Sequence, residues 1–287
     1  MVERRAEGKP TARRIVLGSQ LRRLREAAEI SRAQAGYRIR GSESKISRME
    51  LGRVGFKERD IADLLAMYGV TDPAMLEEFL TMVKESNNPG WWHRYGEVIP
   101  SWLTDFVGLE ESASRIQTYE LQFVPGLMQT EEYIRAIVSH GRPDVRTPDI
   151  ERRVKLRMDR QKVLHRTDAP KLWAVVDESV LHRPIGGTRV LRGQIEYLLE
   201  ITRLPNITLQ VVPYGLSGYA AEGAFTMLRF AESELPDLVY IEHLTGALYL
   251  DKRDEIEKYS RVIDRLSVDA ETPAGTRQLL SKRRAEL

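Results

Sequence analysis

The run Gly41-Ser-Glu-Ser-Lys-Ile-Ser-Arg-Met-Glu-Leu-Gly52 constrains this chain more than any other stretch. Arg40-Gly41 supplies a turn, and Ser42 is an N-cap whose hydroxyl can accept from a free amide of the first helical turn. Gly52 marks the stop. Between them Ile46, Met49 and Leu51 fall on the inner side of a helix from Glu43 to Leu51, while Glu43, Ser44, Lys45, Ser47 and Arg48 face outward. A helix this short is not stable alone in water, so the run requires neighbours that cover its apolar side.

Apolar spacing supplies those neighbours. Leu17, Leu21, Leu24 and Ala28 share one face of a first helix whose other face carries Arg22, Arg23 and Arg25. Ser31 is placed to cap a short second helix from Arg32 to Tyr37. The stretch from Lys57 to Tyr68 repeats the pattern with Ile61, Leu64 and Leu65, and Gly69 ends it. Pro73 then opens a fifth helix through Met75, Leu76, Phe79 and Met82. The expected first domain is a five-helix bundle over residues 15–85, preceded by a basic arm, residues 1–14, and followed by a turn-rich linker, residues 86–90.

Charge separates this bundle from the rest. The formal net charge is only +2, yet residues 1–60 hold 16 Lys and Arg against 8 Asp and Glu, and residues 61–287 hold 28 against 34. A positive field confined to the bundle points to a polyanion bound there and argues against a chain that adheres to polyanions everywhere. A short capped helix preceded across a glycine turn by another is the geometry that enters the major groove of double-stranded DNA. The competing view, a solvated basic face on an ordinary bundle, explains the charges but not the two serine caps, the glycine turn and the closing Glu50-Leu-Gly52.

These residues resemble the Xre family of helix-turn-helix regulators. The resemblance implies that Arg32, Ser42, Glu43, Ser44, Lys45, Ser47 and Arg48 contact phosphates and base edges. Arg48 is the candidate base reader, since Arg pairs bidentately with guanine, although a phosphate contact is an equal alternative. Lys45, Arg53 and Lys57 suit phosphate neutralisation. At Ala35-Gly36 the chain departs from the family's leucine and alanine, which predicts a less firmly packed second helix.

Beyond the linker the chain is long enough for one larger domain, residues 91–287, with a core of its own. Trp91, Trp92 and Trp102, three of the four tryptophans, fall within a dozen residues and either dock the linker or line a pocket. Leu109 to Ile116 reads as helical, Thr130 caps a helix through Tyr133, Ile134 and Ile137, and Ile150 to Arg166 is an arginine-rich helix. Its basic residues either pair with acids of the same domain or form a second nucleic-acid surface. From Leu172 the period shortens: 172–176, 207–212, 223–230, 238–242 and 247–250 read as strands, with a helix over about 190–203 and a terminal helix after Asp251. The expected fold is multidomain, an all-α helix-turn-helix domain followed by an α+β domain with a mostly antiparallel sheet.

Within that domain Trp91-Trp92, Val124-Pro-Gly-Leu-Met-Gln-Thr130, Leu181-His-Arg-Pro-Ile-Gly-Gly187, Pro205 to Pro213, Gly223-Ala-Phe-Thr226 and Tyr240 to Tyr249 resemble the domain of unknown function attached to Xre-type regulators of filamentous actinobacteria, the WhiJ-like group. The resemblance implies a transcription regulator acting with a small partner protein, and it implies no ligand.

Zero cysteines exclude disulfides, thiolate zinc sites and a cysteine nucleophile, and five scattered histidines show no metal spacing, so no metal or cofactor is expected. Asp177, Glu178, Glu222, Glu242 and His243 sit at strand ends where sites form, but no phosphate loop or nucleophile elbow accompanies them, which favours caps and ion pairs over catalysis. Trp91, Trp92, His182, Arg183, Glu222, Glu242 and His243 are the candidate ligand or partner site. For His182, Arg183 and Gly186-Gly187 a plain strand-to-helix connection is the simpler reading. No apolar stretch is long enough to span a bilayer, and residues 1–10 lack a secretion signal, so a cytoplasmic, nucleoid-associated protein is expected.

The whole reading is a non-enzymatic, sequence-specific regulator, dimeric on a palindromic or repeated operator, whose second domain dimerises and receives a small acidic partner protein or a small-molecule effector. The alternative is an enzyme or ligand sensor in the second domain, with the helix-turn-helix as a tether.

Overall fold

The computed structural model describes residues 12–52, 54–87, 90–141, 146–215, 223–232 and 235–287. Two compact units emerge, one ending at His93 and including 231–235, the other running from Arg94 to 230 and from 236 to 287.

The first unit contains the five expected helices: α1 (Ala12–Ala27), α2 (Arg32–Arg38), α3 (Glu43–Glu50), α4 (Glu58–Met67) and α5 (Pro73–Asn87). Leu17, Leu21, Ile46, Met49, Ile61, Leu64, Leu65, Phe79 and Val83 form its core, all at most 4% exposed. Each such side chain contributes roughly 1.5–3 kcal/mol through burial, which is what holds helices too short to persist alone. Leu51 departs from its expected inward orientation; it lies just past the end of α3 and is 45% exposed. Helix α5 runs through Ser86 and Asn87, and the Asn87 amide pairs with both backbone groups of Phe56.

The pair Ala35-Gly36 does not loosen α2. Ala35 is fully buried, and a Cβ on Gly36 would lie 2.9 Å from the carbonyl carbon of Ser42, so the missing side chain lets the start of α3 come close. Gly18 plays the same part on α1, where a Cβ would sit 2.4 Å from the Met49 carbonyl oxygen.

The second unit is an α+β domain around a six-stranded mixed sheet of order β3-β2-β1-β4-β5-β6. The strands are β1 (Arg115–Glu120), β2 (Lys171–Asp177), β3 (Ile207–Val212), β4 (Phe225–Arg229), β5 (Leu238–His243) and β6 (Gly246–Leu250). β1, β2 and β3 are parallel neighbours, and β4, β5 and β6 continue antiparallel. The helices are α6 (Ser101–Ser112), α7 (Glu131–Gly141), α8 (Thr147–Gln161), α9 (Thr188–Ile201), α10 (Arg253–Asp269) and α11 (Pro273–Glu286). Phe106 of α6, Leu191, Ile195 and Leu198 of α9 and Leu280 of α11 pack on one sheet face with Ile116, Leu172 and Leu209. Ile256, Ile263 and Leu266 of α10 cover the other with Tyr119, Val175 and Val239.

The central strand β1 is the element that departs from the sequence reading, which continued a helix to Ile116. Helix α6 stops at Ser112, and Ile116, Gln117, Thr118 and Tyr119 are all buried between β2 and β4. Two of its polar residues are satisfied across the sheet: the Thr118 and Thr226 hydroxyls meet at 3.0 Å, and Gln117 Oε1 accepts from Arg229 at 2.9 Å. Arg229 also donates to Asp237 and Ser260. α11, unforeseen in the sequence, starts at a Thr272 cap.

Candidate functional site

Both short helices of the first unit begin at side-chain caps. Ser31 Oγ accepts from Gln34 N at 3.2 Å while Gln34 Oε1 accepts from Ser31 N at 2.8 Å, a complete capping box. Ser42 Oγ accepts from Lys45 N at 3.2 Å. Ile46 and Met49 then turn inward, leaving Ser42, Glu43, Ser44 and Arg48 exposed and Ser47 half-buried. Lys57, at the start of α4, is exposed as well, and Arg53 lies outside the described residues.

Two buried carboxylates organise the basic residues around this helix. Glu50, 6% exposed, receives Arg25 Nε at 2.5 Å and Arg32 Nε at 2.9 Å, and Arg25 also donates to the Ile30 carbonyl at 2.8 Å. The Glu50 partner holds the Arg25 guanidinium above its ordinary range, and burial followed by the Glu50 charge pushes the Tyr68 hydroxyl up to about 12. Asp60, 2% exposed, receives Lys45 Nζ at 2.7 Å and Arg59 at 3.4 Å. Arg32 and Lys45 are therefore shared between the outer surface and internal ion pairs, and Arg48 and Lys57 stand outermost. Tyr37, in the last turn of α2, is 88% exposed on the side opposite Ala35 and Gly36. Its phase against those small buried residues was the available signal.

In the second unit the candidate residues are dispersed. Asp177 Oδ1 accepts from Ser179 N at 2.9 Å as a cap, and Glu178 binds the Tyr214 amide at 2.7 Å and His182 Nε2 at 3.4 Å. His182 and Arg183 are exposed on the connection from β2 to α9, where Gly186 and Gly187 take positive φ. His243 closes the β5–β6 turn against Thr245. Glu222 lies outside the described residues. Trp91 and Trp92 belong to the first unit, edge to face at 5.8 Å, with Trp92 8% exposed.

The arginine-rich helix α8 pairs with acids of its own domain. Arg152 bonds Glu97 at 2.5 Å, Lys162 and Arg94 both reach Asp159, and Arg160 forms a two-pronged pair with Glu110 at 2.9 and 2.8 Å.

That last pair borders a cavity of about 580 Å³ inside the second unit. Ile116, Thr118 and Glu120 alternate along one face of β1 into it, and Tyr240 and Glu242 do so along β5. Of the predicted ligand residues described, Glu242 alone lines it. Phe106 stacks on Tyr240 at 4.1 Å, with the Arg160 guanidinium 5.6 Å from the Phe106 ring centre. Tyr240 donates to Glu242 at 3.0 Å. Burial, reinforced by the Glu242 charge, pushes the Glu120 carboxyl up to about 8, and among the described residues Glu120 has no hydrogen-bond or ion-pair partner. Glu120 escaped the sequence reading because β1 did.

Among the described residues no three His, Cys, Asp or Glu side chains converge for a metal, and no helix is long and apolar enough to cross a membrane. Residues 16–79 match a helix-turn-helix domain family, HTH_31, and residues 103–282 match a domain of unknown function, DUF5753. Neither the curated proteins nor the solved structures gave a match.

Proposed function

Since the chain belongs to the DUF5753 family and carries a helix-turn-helix domain ahead of that domain, we propose that it is a sequence-specific DNA-binding transcriptional regulator. The observation that carries the reading is α3 itself: a helix capped by Ser42, pinned from within by Ile46, Met49 and Glu50, and presenting Glu43, Ser44 and Arg48 outward. Arg48 reads a base edge, Lys57 neutralises phosphate, and Arg32 and Lys45 divide their charge between phosphate and the carboxylates behind them.

Within this proposal the protein stands with the WhiJ-like group of Xre-family regulators, and its second unit is a non-enzymatic module that dimerises and receives a signal. One helix-turn-helix module buries roughly 600–1,000 Å² on DNA, too little for tight operator binding, so two copies act on half-sites about one helical turn apart.

The test is genome-wide binding of the tagged protein in its native host, with Arg48→Ala and Ser44→Ala as the control. Lys45→Ala is avoided because it also strips Asp60 of a partner. Discrete peaks lost in the variant support the reading; absent or unchanged peaks overturn it.

A further inference from the structure

The cavity of the second unit carries an inference that deepens the sensing half of the proposal and rests on it. Among the described residues its ionisable lining consists of Glu110 from α6, Glu120 from β1, Arg157 and Arg160 from α8, and Glu242 from β5. Arg160 and Glu110 neutralise each other in their two-pronged pair, with side chains 11% and 5% exposed, which leaves the carboxyl groups of Glu120 and Glu242 on the sheet side. There Thr118, Thr226 and Tyr240 are in register, and Glu120 and Glu242 follow two residues on along β1 and β5, strands two spacings or about 10 Å apart. Ala224, a small residue just before β4, lines the cavity with them.

A second observation marks the same cavity as built for a polar guest. Gln129, 4% exposed, lines it and gives its amide N–H to the Val124 carbonyl, yet its Oε1 accepts no hydrogen bond from any described residue. A buried acceptor without a donor costs roughly 1–3 kcal/mol. Phe106, Tyr240 and Leu103 supply an apolar wall beside these acceptors. A volume of about 580 Å³ is that of a drug-sized ligand site.

We propose that this cavity binds a small organic cation, a primary ammonium on an aromatic or apolar body, with the ammonium between Glu120 and Glu242 and the body against Phe106 and Tyr240. An anion is disfavoured because neither guanidinium of the described lining is free, Arg160 being held by Glu110 and Arg157 engaged as well, and because the sheet side presents two carboxyl groups. Cation entry has a further consequence: the proton that Glu120 holds when the cavity is empty is displaced by the guest.

The experiment is titration calorimetry on the full chain with tryptamine, its alcohol counterpart tryptophol and its acid counterpart indole-3-acetate. Saturable tryptamine binding is expected, at least tenfold tighter than tryptophol, strengthening roughly tenfold from pH 6 to pH 7 and levelling above pH 8, with proton release read from buffers of different ionisation heat. Glu242→Gln and Glu120→Gln, isosteric changes whose melting curves report folding, each weaken it tenfold or more. Absence of saturable tryptamine binding, equal binding of tryptophol, or preference for indole-3-acetate overturns the inference. Binding is measured without DNA, so its failure leaves the operator test intact, and failure of the operator test leaves the amine measurement intact.

Discussion

The ammonium of Lys45 stands 2.7 Å from the carboxylate of Asp60, which is 2% exposed, so one outward residue of α3 also ties α3 to α4. The family resemblance and its charge point Lys45 at phosphate. Lys45→Ala should therefore lower the stability of the first unit by about 1–3 kcal/mol, because among the described residues Asp60 keeps only the longer contact to Arg59. Urea denaturation checks this; an unchanged midpoint would mean that Asp60 is satisfied without Lys45.

Arg48 should behave in the opposite way. It is exposed on α3, where an interaction of its side chain is worth about 0–1 kcal/mol, so Arg48→Ala is expected to change the unfolding free energy by no more than that. Operator affinity should fall by about 1–3 kcal/mol with relaxed preference at one base position. Fluorescence anisotropy against a set of single-base operator variants separates this from a uniform loss, the signature of a phosphate contact.

Gly36→Ala tests the close approach of α2 and α3. Alanine improves intrinsic helix propensity by about 1 kcal/mol, but its Cβ would lie 2.9 Å from backbone at Ser42. Overpacking of that kind costs roughly 1–3 kcal/mol and moves α3, so both thermal stability and operator affinity should drop. A variant more stable than the parent would show that the two helices have room to separate.

Glu120 gives a pH dependence whose sign is set by its raised value. Folding holds the carboxyl near 8 instead of the ordinary 4.5, so between those values the folded chain keeps a proton that the unfolded chain releases. Stability is then highest below the ordinary value, falls as pH rises through that window, and levels above it, a loss of about 1 kcal/mol or more. Denaturation midpoints at pH 5, 6, 7 and 8 should decline more steeply for the parent than for Glu120→Gln; parallel profiles would contradict the assignment.

The Glu110–Arg160 pair predicts an asymmetry between single and double variants. Glu110→Ala leaves an almost buried guanidinium uncompensated and should cost about 3–5 kcal/mol. Replacing both with Leu and Met removes the charge along with its partner and should cost less. Melting temperatures ranking the double variant below the single one would refute this.

What could be read along the chain was whatever is specified locally. The caps at Ser31, Ser42 and Thr130, the stops at Gly52 and Gly69, and the apolar phase of Leu17, Leu21, Ile46, Ile61 and Leu64 act over one or two helical turns, so the five helices and five of the six strands were legible before any contact was known. β1 was not, because Gln117, Thr118 and Glu120 look like surface residues until β2 and β4 flank them. The second partner of each shared cation was hidden for the same reason: Arg32 and Glu50 are 18 positions apart, and Lys45 and Asp60 are 15. By itself the sequence determined the five helices of the first bundle and the positions of five strands, and that positive charge gathers on that bundle. Only the tertiary structure decided which of those charges are shared with buried carboxylates, and that Glu120 and Glu242 line one cavity. Local hydrogen bonds and side-chain phase are written within a few residues, whereas desolvation and ion pairing depend on which distant segments exclude water together.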